Sequence, residues 1–129
     1  KEIKNYARRL GAKIIDRPKN LSKDEVFKMD VIRHAVKQIE KNKKPTLVLS
    51  LQANSPNISY FDIDKALNHL IRFDRSEVIS VDENLNQNGA IRAMRYKSVF
   101  QNSLSTDVGF IVTKILDVHY KKDLKKLED

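Results

Sequence analysis

Apolar residues recur along the chain with two spacings, and each spacing predicts one type of element. The i, i+3, i+4, i+7 spacing of a helix face is first met in Ile3, Tyr6, Ala7 and Leu10. Continuous apolar runs rich in β-formers, such as 46–51, predict short strands that are buried on both faces. Helices are therefore predicted over 2–10, 22–42, 59–71 and 123–127, and strands over 12–15, 46–51, 77–81, 91–94 and 108–113.

The order of these elements predicts the fold class. Helices lie between strands, which is typical of an α/β protein with three layers, in which helices cover both faces of a mostly parallel sheet. Local signals agree with the helix ends: Gly11 follows the first helix, Ser22 and Glu25 form an S-x-x-E capping box, and Ser59 precedes a further helix. The length of 129 residues, without a detectable repeat, predicts a single domain over 1–129.

Composition excludes several classes of function. The chain has no cysteine, which excludes disulfides, thiol nucleophiles and cysteine-based zinc sites and agrees with a cytoplasmic location. Its apolar runs are far shorter than the roughly 18 residues that span a bilayer, so neither a membrane span nor a signal peptide is expected. The net charge of +8 indicates attraction to anions. Nucleic-acid binding is not favoured, because no face combines aromatic and basic residues.

Three loops that follow predicted strands carry polar residues suited to a ligand. In open α/β sheets ligands bind beyond the carboxyl ends of the strands, which makes these loops the candidate sites. The loops are Arg17-Pro18, the segment QANSP at 52–56, and Asp117-Val118-His119. Asp117 and His119 are alternate residues and could therefore share a ligand. The structural alternatives are an arginine that fixes a loop, a glutamine that bonds local backbone, and an exposed Asp and His at a strand end.

The second loop carries a resemblance to a known family. The sequence LSLQANSP, followed by a helix that contains FDID, resembles the LQPTSP strand and DID helix of the acylneuraminate cytidylyltransferases. Further segments resemble motifs of the same family in the same order. They are 6–15 (A..yGA.vi), 17–24 (RP-x-x-LA-x-D), 77–82 (d.visv) and 115–124 (iDId...Dl). The resemblance covers most of the chain and is strongest over 6–82.

The resemblance implies a function, a fold and a set of site residues. It implies a Rossmann-like nucleotide-sugar transferase sheet and the transfer of CMP from CTP to an acidic, sialic-acid-like sugar, with release of pyrophosphate. A homodimer is expected. Substrate or nucleotide binding is implied for four residues, and no residue is assigned as catalytic. The four are Arg17, Gln52, Asn54 and Ser55.

The metal assignment follows from the same resemblance. Asp117 matches the first aspartate of the family's metal-binding Asp-x-Asp, and His119 stands where the second aspartate belongs. The implied cofactor is Mg²⁺, with Mn²⁺ as the alternative, because a neutral imidazole is a poorer ligand for Mg²⁺ than a carboxylate.

The sequence also departs from the family pattern. Ala53-Asn54 replaces the family's Pro-Thr, and Asn57-Ile58 replaces its Leu-Arg, which removes a cation that could meet an acidic substrate. The family's first strand and its phosphate-binding loop would precede Lys1, so the chain is expected to be an N-terminally truncated domain, inactive by itself. The alternative is a non-catalytic, degenerate domain that serves oligomerisation or binds an anionic ligand.

Overall fold

The first part of the chain forms a small helical unit. The computed structural model describes residues 2–128, and the chain divides into two compact units between Pro45 and Thr46. The first unit contains α1 (Glu2–Arg9), a 3₁₀ turn (Lys19–Leu21) and α2 (Lys28–Ile39). The predicted strand at 12–15 is wrong: this segment belongs to no described sheet. An apolar pattern makes a strand only where a neighbouring strand satisfies its backbone groups.

The start of α2 also differs from the prediction. The expected capping box at Ser22 does not form, and α2 begins only at Lys28, after Phe27. The reason is a competing local bond: the Ser22 hydroxyl donates to the carbonyl of Pro18 at 3.0 Å and closes the 3₁₀ turn. Serine side chains commonly bond nearby backbone in this way, and a hydroxyl used so does not cap a helix.

The second unit is a four-stranded sheet with one long helix. The strands follow the spatial order β1-β3-β2-β4. A 3₁₀ helix spans Lys121–Leu127, where a short helix over 123–127 was predicted. The elements are β1 (Leu47–Leu51), α3 (Tyr60–Arg72), β2 (Glu77–Val81), β3 (Gln87–Arg95), α4 (Tyr96–Val99) and β4 (Val108–Val112).

The expected mostly parallel, Rossmann-like, three-layer sheet is wrong. Strand β3 pairs antiparallel with both β1 and β2, and only β2 and β4 are parallel neighbours. The cause is the loop 82–86 between β2 and β3. A parallel connection needs roughly a dozen residues or more, so a loop this short produces an antiparallel hairpin. The predicted strand at 91–94 is longer than expected, and it begins immediately after that hairpin turn.

Three strands nevertheless share one direction. Strands β1 and β2 are both antiparallel to β3, and β4 is parallel to β2, so β1, β2 and β4 run the same way. Their carboxyl ends therefore meet at one edge of the sheet, where β3 begins. We call this the carboxyl edge. The opposite edge is marked by Tyr96 at the start of α4, whose backbone N–H donates to the carbonyl of Thr46.

Helix α3 packs on one face of the sheet and forms the main core with it. Ser59 begins the helix as predicted: its hydroxyl accepts from the N–H of Asp62, whose carboxylate accepts the N–H of Ser59 in return. The buried residues of this core come from α3, β2, β3 and β4. They are Ala66, Leu70, Val78, Ala90, Ile91, Ala93 and Ile111.

A buried ion pair lies within the sheet, between β2 and β3. Glu77 is 0% exposed, and its Oε2 accepts from Nε and Nη2 of Arg92 at 2.9 and 2.6 Å. The other oxygen accepts the backbone N–H of Ser105 at 2.5 Å. Both carboxylate oxygens are thus hydrogen-bonded, which is the condition for a buried charge to be tolerated.

The hairpin loop 82–86 contains a strained residue that gives a stability prediction. Leu85 has a φ of 65°, and its side chain is 70% exposed, so the left-handed backbone has no compensating burial. Leu85→Gly is expected to raise the free energy of unfolding by about 0.5 to 1 kcal/mol, because glycine adopts this conformation without a Cβ penalty. Urea unfolding would measure the change. Leu85→Ala keeps the Cβ and is the control; an equal gain in both variants would contradict the explanation.

Within residues 2–128, no helix has the length and apolar character needed to cross a bilayer.

Candidate functional site

A row of uncharged polar side chains lies along the carboxyl edge of the sheet. We call it the polar row: Gln52 after β1, Asn88 near the start of β3, Ser80 near the end of β2, and Thr113 after β4. The Ser80 hydroxyl donates to Oδ1 of Asn88 at 2.5 Å, and Nδ2 of Asn88 donates to Oγ1 of Thr113 at 3.0 Å. Asn88 therefore connects the ends of β2 and β4 through its carboxamide.

Gln52 continues the pairing of β1 with β3. Its backbone N–H donates to the carbonyl of Ala90 at 2.9 Å. Its side chain turns toward Gly89, and a Cβ built on that glycine would lie only 2.9 Å from the Gln52 Oε1. The carboxamide thus lies beside the backbone of β3, at the carboxyl edge. A glutamine carboxamide offers two N–H donors and one acceptor oxygen, which suits a ligand with hydroxyl or amide groups.

Three of the predicted site residues meet in a second group beyond the sheet. We call it the loop cluster: Asn54, Asp117 and His119. Nδ2 of Asn54 donates to Oδ1 of Asp117 at 2.5 Å, and Nε2 of His119 lies 2.8 Å from Oδ2 of the same carboxylate. The backbone N–H of Val118 also donates to the carbonyl of Asn54 at 2.8 Å. The loop after β1 and the segment after β4 are therefore joined side chain to side chain and backbone to backbone.

A second asparagine strengthens the same junction. Nδ2 of Asn57 donates to the carbonyl of Lys114 at 3.1 Å, and its Oδ1 accepts the N–H of Leu116 at 2.9 Å. In the sequence, Asn57 stands out only as a departure from the family pattern. Asn57 hydrogen-bonds the backbone of the segment 114–116 much as a neighbouring strand would. Its carboxamide supplies both the donor and the acceptor.

Ser55 and Arg17 occupy different surroundings. Ser55 is buried at 4% exposure, and its backbone N–H donates to the carbonyl of Gln52 at 3.1 Å, which stabilises the turn after β1. Arg17 is exposed and belongs to the first unit, whereas the polar row and the loop cluster belong to the second. Gln52, Asn54, Asp117 and His119 therefore all belong to the second unit, where Asp117 joins Asn54 and His119.

The first unit contains an open cavity, and some of its lining residues directly precede Arg17 in the sequence. It measures about 330 Å³, and its lining includes two apolar and three polar residues. Nε2 of His34 lies 3.2 Å from the carbonyl of Asp16, and the Asp16 carboxylate pairs with Lys4. The Lys4 ammonium holds the pKa of Asp16 below its usual range. The lining residues are Ile14, Ile15, Asp16, His34 and Gln38.

Two carboxylates, Asp82 after β2 and Asp123 in the 3₁₀ helix, have lowered pKa values. The backbone N–H of Asn86 is the main cause of a lowered pKa at Asp82, the residue that follows β2. The backbone N–H groups of Tyr120 and His119 likewise hold the pKa of Asp123 below its usual range. Hydrogen bonds donated to a carboxylate favour its ionised form. Both groups are therefore engaged in shaping turns, and they carry negative charge at neutral pH.

Asp117 and His119 fit a magnesium ion poorly. They provide one carboxylate and one imidazole, and both oxygens of Asp117 already take part in hydrogen bonds. In residues 2–128 no group of three His, Cys, Asp or Glu side chains is placed to hold a metal. Mg²⁺ prefers oxygen ligands in a near-octahedral arrangement, which a single engaged carboxylate does not provide. We therefore assign no step of the proposed chemistry to a metal ion.

Three members of the polar row were not found from the sequence. Ser80 lies inside a strand that looks uniformly buried, Thr113 lies at the end of one, and Asn88 falls in a segment predicted as a loop. The available signal was the Asn-Gly pair at 88–89 directly before an apolar run, which marks a turn or a strand start. That signal indicates where β3 begins but not which strands lie beside it.

Comparison with known proteins adds no family to this description. No protein-family model matches the chain, and no curated protein matches it. A functional hypothesis therefore rests on the geometry of the carboxyl edge and on the motif resemblance noted in the sequence.

Proposed function

We propose that the chain carries the substrate-binding edge of a nucleotidyltransferase, which transfers CMP from CTP to an acidic, sialic-acid-like sugar and releases pyrophosphate. The observation that carries the proposal is the position of Gln52 and the loop cluster at one edge of the sheet. Gln52 directly follows β1, and the loop cluster joins the loop after β1 to the segment after β4. Ligands of open α/β sheets bind beyond such strand ends. The antiparallel β3 leaves this arrangement intact, because it begins at the same edge.

The reaction makes demands that these side chains suit. The anomeric hydroxyl oxygen of the sugar attacks the α-phosphorus of CTP and loses its proton to the solvent. The bond from that phosphorus to the oxygen bridging to the β-phosphate breaks, and pyrophosphate leaves. Most of the catalytic effect in such transfers comes from positioning and from neutralising charge. Uncharged donors and acceptors such as Gln52 can position the sugar or base. A guanidinium such as that of Arg17 can form a bidentate interaction with a phosphate or carboxylate.

The charge of the chain supports the same class of substrate. CTP, the acidic sugar and pyrophosphate are all anions, and the net charge of +8 favours their approach. The proposal includes a cytoplasmic location, because CTP is available there. A chain without cysteine has no disulfide that the reducing conditions of that compartment could break. It also includes a homodimer as the working form.

The test is pyrophosphate release by the complete protein that carries this chain. Each of the four nucleoside triphosphates is offered with a panel of acidic sugars, in Mg²⁺ and separately in Mn²⁺. Release is expected with CTP and not with the other three. Gln52→Ala is expected to lower kcat/KM by about 10- to 100-fold, because it would lose a polar contact to the substrate. Arg17→Ala separately tests the role that the motif resemblance implies for Arg17, and a fall in kcat/KM is the expected result.

A matched control comes from the opposite edge of the sheet. Lys97 is an exposed cation on α4, and Lys97→Ala is expected to leave kcat/KM unchanged. Normal rates in both Gln52→Ala and Arg17→Ala would remove the site assignment. Binding of CTP without pyrophosphate release from any combination would exclude the enzyme and indicate the non-catalytic, anion-binding domain.

A further inference from the structure

The side chain of Gln52 lies where only glycine leaves room for it. Gly89 has a φ of +70°, and a Cβ placed on it would lie 2.9 Å from the Gln52 Oε1. Separations below about 3.0 Å are essentially never found for real Cβ atoms. Glycine within a strand often marks a place where another group approaches the backbone closely. Here the approaching group is the carboxamide that the proposed function needs.

The backbone on both sides of Gly89 is anchored. On one side the carboxamide of Asn88 bonds to Ser80 and Thr113, and on the other the carbonyl of Ala90 accepts the N–H of Gln52. A shift of β3 to make room for a Cβ at position 89 would therefore strain these bonds. The free end of the Gln52 side chain is the part that can move. Adding a methyl group would thus displace the carboxamide and leave the sheet in place.

We infer that Gly89 is a positioning residue, which sets where the Gln52 carboxamide meets an uncharged hydroxyl or amide group of the substrate. This inference rests on the proposed function for its effect on catalysis. Its structural part, the control of the Gln52 carboxamide by position 89, does not depend on which reaction the protein performs. The two parts are therefore tested by separate measurements.

The catalytic part is tested by a double-mutant cycle in the complete protein. Gly89→Ala is expected to lower kcat/KM for pyrophosphate release by about 10- to 100-fold, because a misplaced positioning group costs that much. The fall in kcat/KM should be divided between KM and kcat in the same way as in Gln52→Ala. In the Gln52→Ala background, Gly89→Ala is expected to cause no further fall, because its effect passes through the missing carboxamide. Additive losses in the double variant would overturn the inference.

Gly11→Ala is the matched control. Gly11 also has a positive φ, of +80°, but a Cβ there meets nothing within 4 Å. It therefore carries the backbone strain of the substitution without the steric overlap. Gly11→Ala is expected to leave kcat/KM unchanged. An equal fall in Gly11→Ala and Gly89→Ala would assign the effect to backbone strain and overturn the role of position 89.

The structural part is tested by the side-chain NH₂ resonances of Gln52 in a ¹⁵N-labelled sample. These signals are expected to shift in Gly89→Ala and to stay in place in Gly11→Ala, whether or not the protein releases pyrophosphate. Unshifted Gln52 signals in Gly89→Ala would overturn the inference even if the proposed function holds. If Gly89→Ala alone does not fold, recovery of folding in the double variant with Gln52→Ala supports the overlap, and failure of both variants contradicts it.

Discussion

Glu77→Ala is expected to lower the free energy of unfolding by about 3 to 5 kcal/mol, as is usual when one partner of a buried ion pair is removed. The carboxylate is fully buried and accepts two N–H groups of Arg92 and the backbone N–H of Ser105. Without it, a guanidinium whose side chain is only 19% exposed remains between the strands without its counter-charge. Urea unfolding followed by circular dichroism would measure the loss.

An exposed ion pair in the same unit provides the control for Glu77. Glu83 pairs with Lys114, and their side chains are 64% and 85% exposed. Glu83→Ala is expected to leave the urea midpoint nearly unchanged, because water screens such pairs. The double variant Glu77→Leu with Arg92→Met should recover much of the loss, since it leaves no buried charge. A cost at Glu77 no larger than at Glu83 would show that the buried pair does not stabilise the sheet.

Leu70→Ala is expected to lower the free energy of unfolding by about 3 kcal/mol, within the usual range for a buried leucine. Leu70 lies on α3 with no exposed surface, and it belongs to the core formed with Val78, Ile91 and Ile111. Truncation removes apolar burial and leaves a cavity between the helix and the sheet. The same urea titration would measure the effect, with an unchanged m-value if the unfolded state is unaltered.

The next residue along α3 is a natural control for Leu70. Ile71 has a similar volume and is 59% exposed. Ile71→Ala is expected to cost less than about 1 kcal/mol, because little apolar area is lost and no cavity forms. The pair of variants separates burial from helix propensity, since both replace a branched residue with alanine in one helix. Equal losses would mean that α3 does not cover the sheet as described.

The candidate site could be predicted in part. Gln52, Asn54, Asp117 and His119 stand out in the sequence because each is polar and follows an apolar run. Sequence could not show that Asn54 bonds Asp117, because 63 positions separate them. That contact exists only after β1 and β4 end at the same edge. Asn88 could not be predicted for the same reason. It connects Ser80 and Thr113, and these contacts do not depend on its neighbours in the chain.

The sequence by itself determined the local elements of this protein. The helices α1 and α3, the cap at Ser59 and the strands at 47–51, 77–81 and 108–112 follow from residue spacing, capping and β-formers, which act between near neighbours. Only the tertiary structure decided how the strands pair. The short loop 82–86 makes β3 antiparallel to β2, and β3 lies between β1 and β2. The segment 12–15 belongs to no described sheet. Strand order and direction depend on backbone bonds between distant segments, and a periodic pattern carries no information about which distant segment becomes the neighbour.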